Sequence, residues 1–236
     1  MLERIQKILS AHGVASRREA ERMILAGRVT VGGVTAALGQ SAEVGVDEIA
    51  VDGVPLAPKE ALVYIKLYKP RGYVTTMSDE RGRKTVRSLV SDAGVRVYPV
   101  GRLDINSEGL LLMTNDGEFA NMVMHPSYCK VKTYEVTVDG DASASVARMR
   151  RPMEIDGHQV HAASVKMIRR TDGGGVFRIA ISEGRNRQIR KMCEQCGLRT
   201  LSLKRISIGT VTLGSLKSGQ WKHLTEDERQ SLVEIR

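Results

Sequence analysis

The chain has 236 residues, of which 42% are hydrophobic and 4% aromatic, and its formal net charge is +9. No stretch approaches the roughly 18 consecutive apolar residues that a membrane-spanning helix needs, and three cysteines, an odd number, argue against a disulfide-stabilised secreted fold. The charged N-terminus lacks the apolar run of a secretory signal, so we expect a cytoplasmic protein without a membrane partner.

The positive charge is concentrated in one part of the sequence. Between Lys166 and Arg205 eleven lysines and arginines stand against three acidic residues, which leaves this segment at +8. Clustered positive charge is typical of proteins that bind nucleic acid, whereas an ordinary solvated surface carries its charges more evenly. The clustering favours a polyanionic partner, and a solvated basic surface is the alternative.

Two amphipathic helices and a short strand are predicted before residue 33. The buried positions expected from helical spacing are Ile5, Ile8, Leu9, Ala20, Met23 and Ile24. Ser16 and Glu19 have the spacing of a capping box at the start of the second helix, and the run 29–31 alternates like a strand. Arginines lie away from the buried stripe of the second helix, which suits either a phosphate-binding face or an ordinary polar surface.

A change of pattern at residues 52–59 predicts a domain boundary. This segment contains one glycine and two prolines, and a strand-like run follows at residues 62–67. We therefore predict a small domain at residues 1–58 and a larger one at residues 62–236. In the larger domain, Gly173, Gly174 and Gly175 are expected to form the tip of a hairpin.

The segment GRLDINSEGLLLMTNDG, residues 101–117, places an acid just before an apolar run. A loop fixed to a rigid sheet is a good place for a catalytic group, so Asp104 is a candidate, with a capping or salt-bridging aspartate as the alternative. Gly101 is expected to allow a close approach of the chain. Glu108 makes a glycosidase-like carboxylate pair conceivable, although we expect it to be a surface or loop residue.

Two further patterns concern the second half of the chain. Tyr134 alternates with Val136 and Val138, which places all three on one face of a strand, with a core tyrosine as one interpretation. A helix is predicted with the buried stripe Ile189, Met192, Cys193 and Cys196, and its cap at Gly197. Zinc binding by the two cysteines would need further paired ligands, and Cys129 is isolated, so we expect core packing and no metal.

The N-terminal sequence RIQKILSAHGVASRREAERMILAGRVTVGG resembles the S-four RNA-binding domain. The resemblance implies that the arginine-rich second helix and the loop after it contact structured RNA. The RNA-binding residues expected on this basis are Arg4, Arg17, Arg18, Arg22 and Arg28.

The motifs KPRGYVTT, PVGRLDINSEGLLLMTNDG, HPS, KTYEV, ISEGRNRQIRKM and LKRISIGTVTLGSLKSGQW are similar to those of pseudouridine synthases that modify ribosomal RNA. The resemblance implies an α+β fold: a small N-terminal αα-β domain, then a mixed, mostly antiparallel sheet flanked by helices. Asp104 corresponds to the essential aspartate, Tyr134 to the active-site tyrosine and Arg190 to the basic residue that pairs with the aspartate. Further expected substrate or RNA contacts are Arg102, Ile189, Arg187 and Lys191.

The resemblance also implies an enzyme that needs no cofactor and acts on ribosomal RNA as a monomer. The pair His125-Pro126, with residues 132–135, looks more like the enzymes that modify 23S RNA, since 16S enzymes tend to have Ser-Pro there. The alternatives are a 16S enzyme, a non-catalytic ribosome-assembly factor, and a hydrolytic N-glycosidase. Whether Asp104 acts as a nucleophile or as a base is left open.

Overall fold

The computed structural model describes residues 1–125 and 130–234. The chain divides into two compact units: residues 1–63 with 94–96 and 115–117 form the first, and the remaining residues form the second. Within the described ranges, no helix combines the length and the apolar composition that crossing a membrane requires.

The first unit packs two short helices against small antiparallel sheets. Its elements are β1 (Leu2–Arg4), α1 (Ile5–Ala11), α2 (Arg17–Leu25), β2 (Val29–Val31), β3 (Val34–Thr35), β4 (Ser41–Glu43), β5 (Ile49–Val51) and β6 (Val54–Pro55). The strands β3-β2-β5-β6 form one sheet, and β1 pairs with β4. The six predicted buried positions all lie in the core of this unit, which confirms the helical pattern.

Helix α2 begins at Ser16, as predicted, but with half of the expected capping box. The Ser16 hydroxyl accepts a hydrogen bond from the Glu19 backbone N–H at 3.2 Å, which satisfies one of the free donors of the first turn. The Glu19 carboxylate does not return to Ser16. It forms an ion pair with Arg22 at 3.2 Å on the exposed face of the helix.

The second unit is built on a long mixed sheet with helices around it. Its elements are β7 (Tyr64–Lys69), a 3-10 helix (Val86–Leu89), β8 (Tyr98–Val100), β9 (Glu108–Thr114), α3 (Gly117–Met124), β10 (Lys132–Asp139), α4 (Ala142–Met149), β11 (Met153–Ile155), β12 (His158–Val160), β13 (Ser164–Thr171), β14 (Gly174–Ile181), α5 (Gln188–Gln195), β15 (Arg199–Ile208), β16 (Val211–Thr212), β17 (Trp221–His223) and α6 (Glu226–Val233).

The strand order of the main sheet is β13-β14-β10-β15-β9-β7-β17, with β8 paired to β9 and β16 to β15. The β9–β15 pair is parallel, and the other pairs of this sheet are antiparallel. This architecture confirms the predicted α+β class with a mixed, mostly antiparallel sheet. The centre of the sheet carries the segment that the sequence marks as functional, because residues 101–107 lead directly into β9.

A glycine allows the parallel pair to form, but it is not the glycine that the sequence suggests. Gly109 has a φ of +107°, and a Cβ there would lie 2.2 Å from the Arg205 carbonyl oxygen, so a side chain is sterically impossible without moving the backbone. Gly101 has a φ of +78° but nothing within 4 Å of an added Cβ. The expected close approach at Gly101 is therefore wrong, and this glycine serves a turn conformation.

The predicted hairpin tip is also displaced. Strand β13 ends at Thr171 and β14 begins at Gly174, so the turn consists of Asp172 and Gly173. Gly174 belongs to the sheet and packs against β10, where an added Cβ would lie 2.1 Å from the Val138 carbonyl oxygen. A run of glycines predicts flexibility, but here close strand packing requires one of them.

Candidate active site

A cavity of about 530 Å³ opens in the second unit beside the Asp104 loop, within the size range typical of small-ligand sites. Its walls come from the loop before β9, from β10 and β15, and from the loop that leads into α5. Its charged lining residues are Arg102, Asp104, Lys132, Arg185, Arg187 and Arg205. The described part of the cavity thus has one carboxylate among five cationic side chains.

The loop that carries Asp104 is held through its backbone. Each carbonyl oxygen from Arg102 to Ser107 accepts a hydrogen bond from a residue outside the loop. The donors, in loop order, are Arg205 Nη1 at 3.5 Å, Thr75 Oγ1 at 2.7 Å, Lys69 Nζ at 3.1 Å, Gly72 N at 2.8 Å, Arg190 Nη2 at 3.0 Å and Lys69 Nζ at 2.7 Å. The loop thus satisfies its carbonyl oxygens through tertiary hydrogen bonds rather than through a sheet ladder.

Lys69, the last residue of β7, is the most buried of these donors, with 0% of its surface exposed. Its ammonium group donates to the carbonyl oxygens of Pro70, Asp104 and Ser107, which uses all three of its protons. Burial lowers the pKa of Lys69 to about 8, against the raising effect of the Asp104 and Glu108 carboxylates. The buried ammonium group of Lys69 thus stabilises the conformation of the loop.

Arg190 does not make the predicted ion pair. Its guanidinium donates to the Asn106 carbonyl oxygen at 3.0 Å and to Ser107 Oγ at 3.4 Å, and across the described residues no ion pair within 4.0 Å joins it to Asp104. Burial, followed by the charge of Arg187, lowers the pKa of Arg190, while the charge of Asp104 raises it. The two groups are therefore electrostatically coupled without direct contact.

Helix α5 also corrects the predicted stripe. Arg190 is 7% exposed and lies with the buried residues Gln188, Ile189, Met192 and Cys193, although the predicted buried stripe does not include it. The reason is tertiary: the Asn106 carbonyl and the Ser107 hydroxyl supply acceptors for Nη2, while the buried Nε has no hydrogen-bond partner among the described residues. Cys196, predicted to be buried, is half-exposed.

Arg205 is a second buried arginine, and unlike Arg190 it lines the cavity. It is 3% exposed, and its Nε donates to the Leu110 carbonyl oxygen at 2.7 Å. Its Nη2 atom has no hydrogen-bond partner among the described residues, although it is buried. In the sheet Arg205 pairs directly with Tyr134, so the tyrosine and the guanidinium stand on the same face.

Tyr134 lies on the buried face of the sheet and at the cavity. It shares its sheet face with Val136 and Val138, all three are buried, and it also lines the cavity. Its ring is 7% exposed, so it forms a rigid wall of the cavity. Arg102, which is exposed, and Ile189, which is buried, line the same space.

The loop before α5 forms the basic rim of the cavity. Buried Gln188 accepts from the Arg185 backbone N–H at 3.1 Å and donates to Glu183 at 3.0 Å. Arg187 has a φ of +52° and a ψ of +27°, a left-handed conformation that is unfavourable for a residue with a Cβ. Strain of this kind concentrates at functional sites, and here it places an exposed guanidinium at the cavity.

Glu108 is separate from this arrangement. Its carboxylate accepts hydrogen bonds from the Tyr68 hydroxyl at 3.0 Å and from the Ser202 hydroxyl at 3.3 Å. It is not among the residues that line the cavity. The two carboxylates that a glycosidase-like pair would need are thus not presented to one space.

The predicted RNA-contact residues fall into two groups. Arg4, Arg17 and Arg18 are exposed and have cationic groups available to a ligand, and exposed Arg187 has only a long ion pair with Glu194 at 4.0 Å. By contrast, Arg28 forms a double hydrogen bond with Asp52 at 2.9 and 2.5 Å, Arg22 pairs with Glu19, and Lys191 pairs with Asp156. These exposed pairs are weak, so a phosphate would have to displace a carboxylate.

Sequence reasoning missed several members of the site. Lys69 and Arg205 lie in the motifs KPRGYVTT and LKRISIGTVTL but are single basic residues in strand patterns, which gives no reason to expect burial. Gln188 and Arg185 were also missed. Pro126 of the His125-Pro126 pair and Cys129 lie outside the described residues. Cys193 is buried, and burial raises the pKa of its thiol to about 11, as core packing implies.

Comparison with known proteins relates both units to described families. Residues 63–195 match the RNA pseudouridylate synthase family, and residues 3–45 match the S-four domain. An uncharacterised RNA pseudouridine synthase of Aquifex aeolicus is 40% identical over 97% of this chain and 93% of its own length. The ribosomal large subunit pseudouridine synthase B of Bacillus subtilis is 39% identical over 98% of this chain and 96% of its own.

Solved structures give the same relationship. A crystal structure described as a pseudouridylate synthase superposes with a TM-score of 0.69 and 28% identity, covering 98% of this chain and 99% of that one. The correspondence thus extends over both units and includes the strands that carry the cavity.

Proposed function

The chain belongs to the RNA pseudouridylate synthase family, and from this premise we propose that it converts a uridine of 23S ribosomal RNA to pseudouridine with Asp104 as the catalytic group. The large-subunit target is supported by relatives of that name in Bacillus subtilis and Haemophilus influenzae, each 39% identical. On this proposal the enzyme works in the cytoplasm, where ribosomes are made, and acts as a monomer.

The observation that carries the proposal is the composition of the cavity. Asp104 is the one acid among its described lining residues, and a tyrosine wall and five cations surround it. A polyanion that presents a single flipped-out base matches this arrangement, because the cations attract phosphates and the ring offers a flat surface. An enzyme that modifies a base must take it out of the stack.

The chemistry assigns one reactive group to the site. The bond between uracil N1 and ribose C1′ breaks, the base turns within the cavity, and a bond forms between C5 and C1′. The C5 proton leaves to solvent and N1 gains a proton, so the reaction is an isomerisation without net transfer of electrons. Asp104 acts as nucleophile or base, and Tyr134 with Ile189 confines the base while it turns.

Binding of the larger RNA is assigned to the exposed cations. Arg102 and Arg187 contact the phosphates next to the target at the cavity. The first unit docks RNA through Arg17 and Arg18, which are both exposed in the first turn of α2. Contacts with phosphates position an RNA but do not select a sequence.

The test compares the effects of neutralising Asp104 and of neutralising Glu108 on the reaction. Full-length protein is incubated with ribosomal RNA labelled at uridine C5 with tritium, and release of tritium to water is measured. We expect Asp104→Asn to abolish release with RNA affinity changed less than about three-fold, because asparagine keeps the shape and removes the charge. The matched control Glu108→Gln, outside the cavity, is expected to retain activity.

Other results would contradict specific parts of the proposal. Tritium release by Asp104→Asn at the wild-type rate would remove Asp104 from the catalytic role. Free uracil among the products would indicate an N-glycosidase, and modification of 16S RNA alone would overturn the large-subunit target. Binding of RNA without any release would indicate an assembly factor.

A further inference from the structure

A segment next to the Asp104 loop combines a half-buried aromatic ring with exposed cations. The Gly72 backbone N–H donates to the Ile105 carbonyl oxygen at 2.8 Å, and Thr75 bonds the Leu103 backbone at 2.7 and 3.3 Å. Tyr73 lies between these two attachments in the chain, so its backbone is anchored on both sides to the loop that carries Asp104.

Tyr73 is joined to a second strip of chain that carries positive charge. The Val74 N–H donates to the Lys84 carbonyl oxygen at 2.8 Å, and the Val86 N–H donates to the Val74 carbonyl oxygen at 3.0 Å. The Lys84 ammonium lies over the Tyr73 ring, 6.0 Å from its centroid. The Lys84 backbone is thus bonded to the residue after Tyr73, and its exposed ammonium lies over the aromatic ring.

The charges of this segment are largely uncompensated. Residues 71–87 contain five basic residues, Arg71, Arg81, Arg83, Lys84 and Arg87, and two acidic ones, Asp79 and Glu80. Asp79 is fully engaged by Arg83. Within residues 1–125 and 130–234, no acid forms an ion pair with Arg81, Lys84 or Arg87. Neither the cavity nor the α2 surface includes these residues.

We propose that Tyr73 and Lys84 form a binding site for one unpaired nucleotide of the substrate RNA, next to the target uridine. This rests on the RNA substrate of the proposed function. A base stacks on an aromatic face while a nearby cation binds its phosphate, which is the usual chemistry of single-stranded recognition. Because the segment is bonded to the Asp104 loop, a nucleotide held there is in fixed register with the cavity.

The experiment measures binding separately from chemistry. Full-length protein is titrated into a fluorescein-labelled short single-stranded oligouridine, and anisotropy gives Kd. We expect Tyr73→Ala to weaken binding about ten-fold, while Tyr73→Phe, which keeps the ring, binds like the wild type. Lys84→Ala should lower the slope of log Kd against log salt by about 0.7, whereas Lys222→Ala on the edge strand β17 should not.

A second readout separates this inference from the reaction. At saturating ribosomal RNA, single-turnover tritium release by Tyr73→Ala should stay within about two-fold of the wild type, with a higher half-saturating RNA concentration. Wild-type affinity of Tyr73→Ala, or no binding of oligouridine by the wild type, overturns the inference. Equal binding of polyglutamate by the wild type also overturns it. If the wild type releases no tritium but its oligouridine binding still depends on the Tyr73 ring, the proposed reaction is contradicted and this inference is not.

Discussion

Removing one hydroxyl should loosen the Asp104 loop without changing its charge. Thr75 is buried, and its Oγ1 both donates to the Leu103 carbonyl oxygen at 2.7 Å and accepts from the Leu103 N–H at 3.3 Å. Thr75→Val has nearly the same shape but leaves both backbone groups without a partner. Each unsatisfied buried group costs about 1–3 kcal/mol, so the loss of two partners should lower stability by about 2–6 kcal/mol.

Loss of the hydrogen bonds between Thr75 and Leu103 should also lower the reaction rate, because Leu103 directly precedes Asp104. A displacement of about 1 Å at a reacting group lowers the rate by about 100-fold, so we expect single-turnover tritium release at saturating RNA to fall about 10- to 100-fold. RNA affinity should be nearly unchanged, since Thr75 is closed off from the surface. Urea unfolding gives the stability, and the two measurements are made on the same preparations.

Thr75→Ser is the matched control. It keeps the hydroxyl and removes a methyl group, so it should lose about 1 kcal/mol of stability and most of the rate should survive. If Thr75→Val turns over RNA at the wild-type rate, then Thr75 does not position Asp104, whatever happens to stability. If the serine variant is as slow as the valine variant, the hydroxyl is not the reason for the defect.

Three further outcomes are expected. Gly109→Ala should lower the urea midpoint of unfolding by more than any surface substitution, because its Cβ would lie 2.2 Å from the Arg205 carbonyl oxygen; an unchanged midpoint would contradict the parallel pairing. Burial lowers the pKa of Lys69 from 10.5 to about 8, so between these pH values the unfolded chain binds more protons than the folded protein. The free energy of unfolding, measured by urea titration, should therefore rise with pH by about 1 kcal/mol per pH unit relative to Lys69→Met. Parallel pH profiles of the two proteins would contradict this. Replacing Arg17, Arg18 and Arg22 of α2 together with alanine should weaken the salt dependence of ribosomal RNA binding. The slope of log Kd against log salt should fall by about 0.7–0.9 for each phosphate that the variant no longer binds, while turnover at saturating RNA is retained. An unchanged slope would mean that these side chains face solvent.

Local patterns in the sequence predict the local structure well. The helices of the first unit follow from apolar spacing and one capping serine, because these signals act within a few residues. The fold of the second unit follows from resemblance, and the alternation around Tyr134 identifies its buried face correctly. The sequence predicts a close approach of the chain at Gly101. The close approach occurs at Gly109 instead, because β15, which is distant in sequence, packs against that residue.

The support of the Asp104 loop could not be predicted in this way. Its hydrogen bonds join residues that are far apart in sequence, 35 positions for Lys69 with Asp104 and 84 for Arg190 with Asn106. Periodicity places a lysine or an arginine on a polar face, since burying a charge is unfavourable without partners. Those partners are backbone carbonyl oxygens, which are the same in every sequence and therefore leave no pattern to read.

The arrangement explains how a carboxylate can be held in place and still be free to react. Three cationic side chains donate hydrogen bonds to the carbonyl oxygens of the loop and not to the Asp104 carboxylate: Lys69, Arg190 and Arg205. On the proposed function, a direct bidentate ion pair would occupy the carboxylate oxygens that react with the ribose or the base, and it would have to break in each turnover. Cations bound to the backbone fix the position of Asp104, and two of them, Lys69 and Arg190, are close enough to interact with its charge. The loop is thus organised in advance of substrate, which is the condition for electrostatic and covalent catalysis alike.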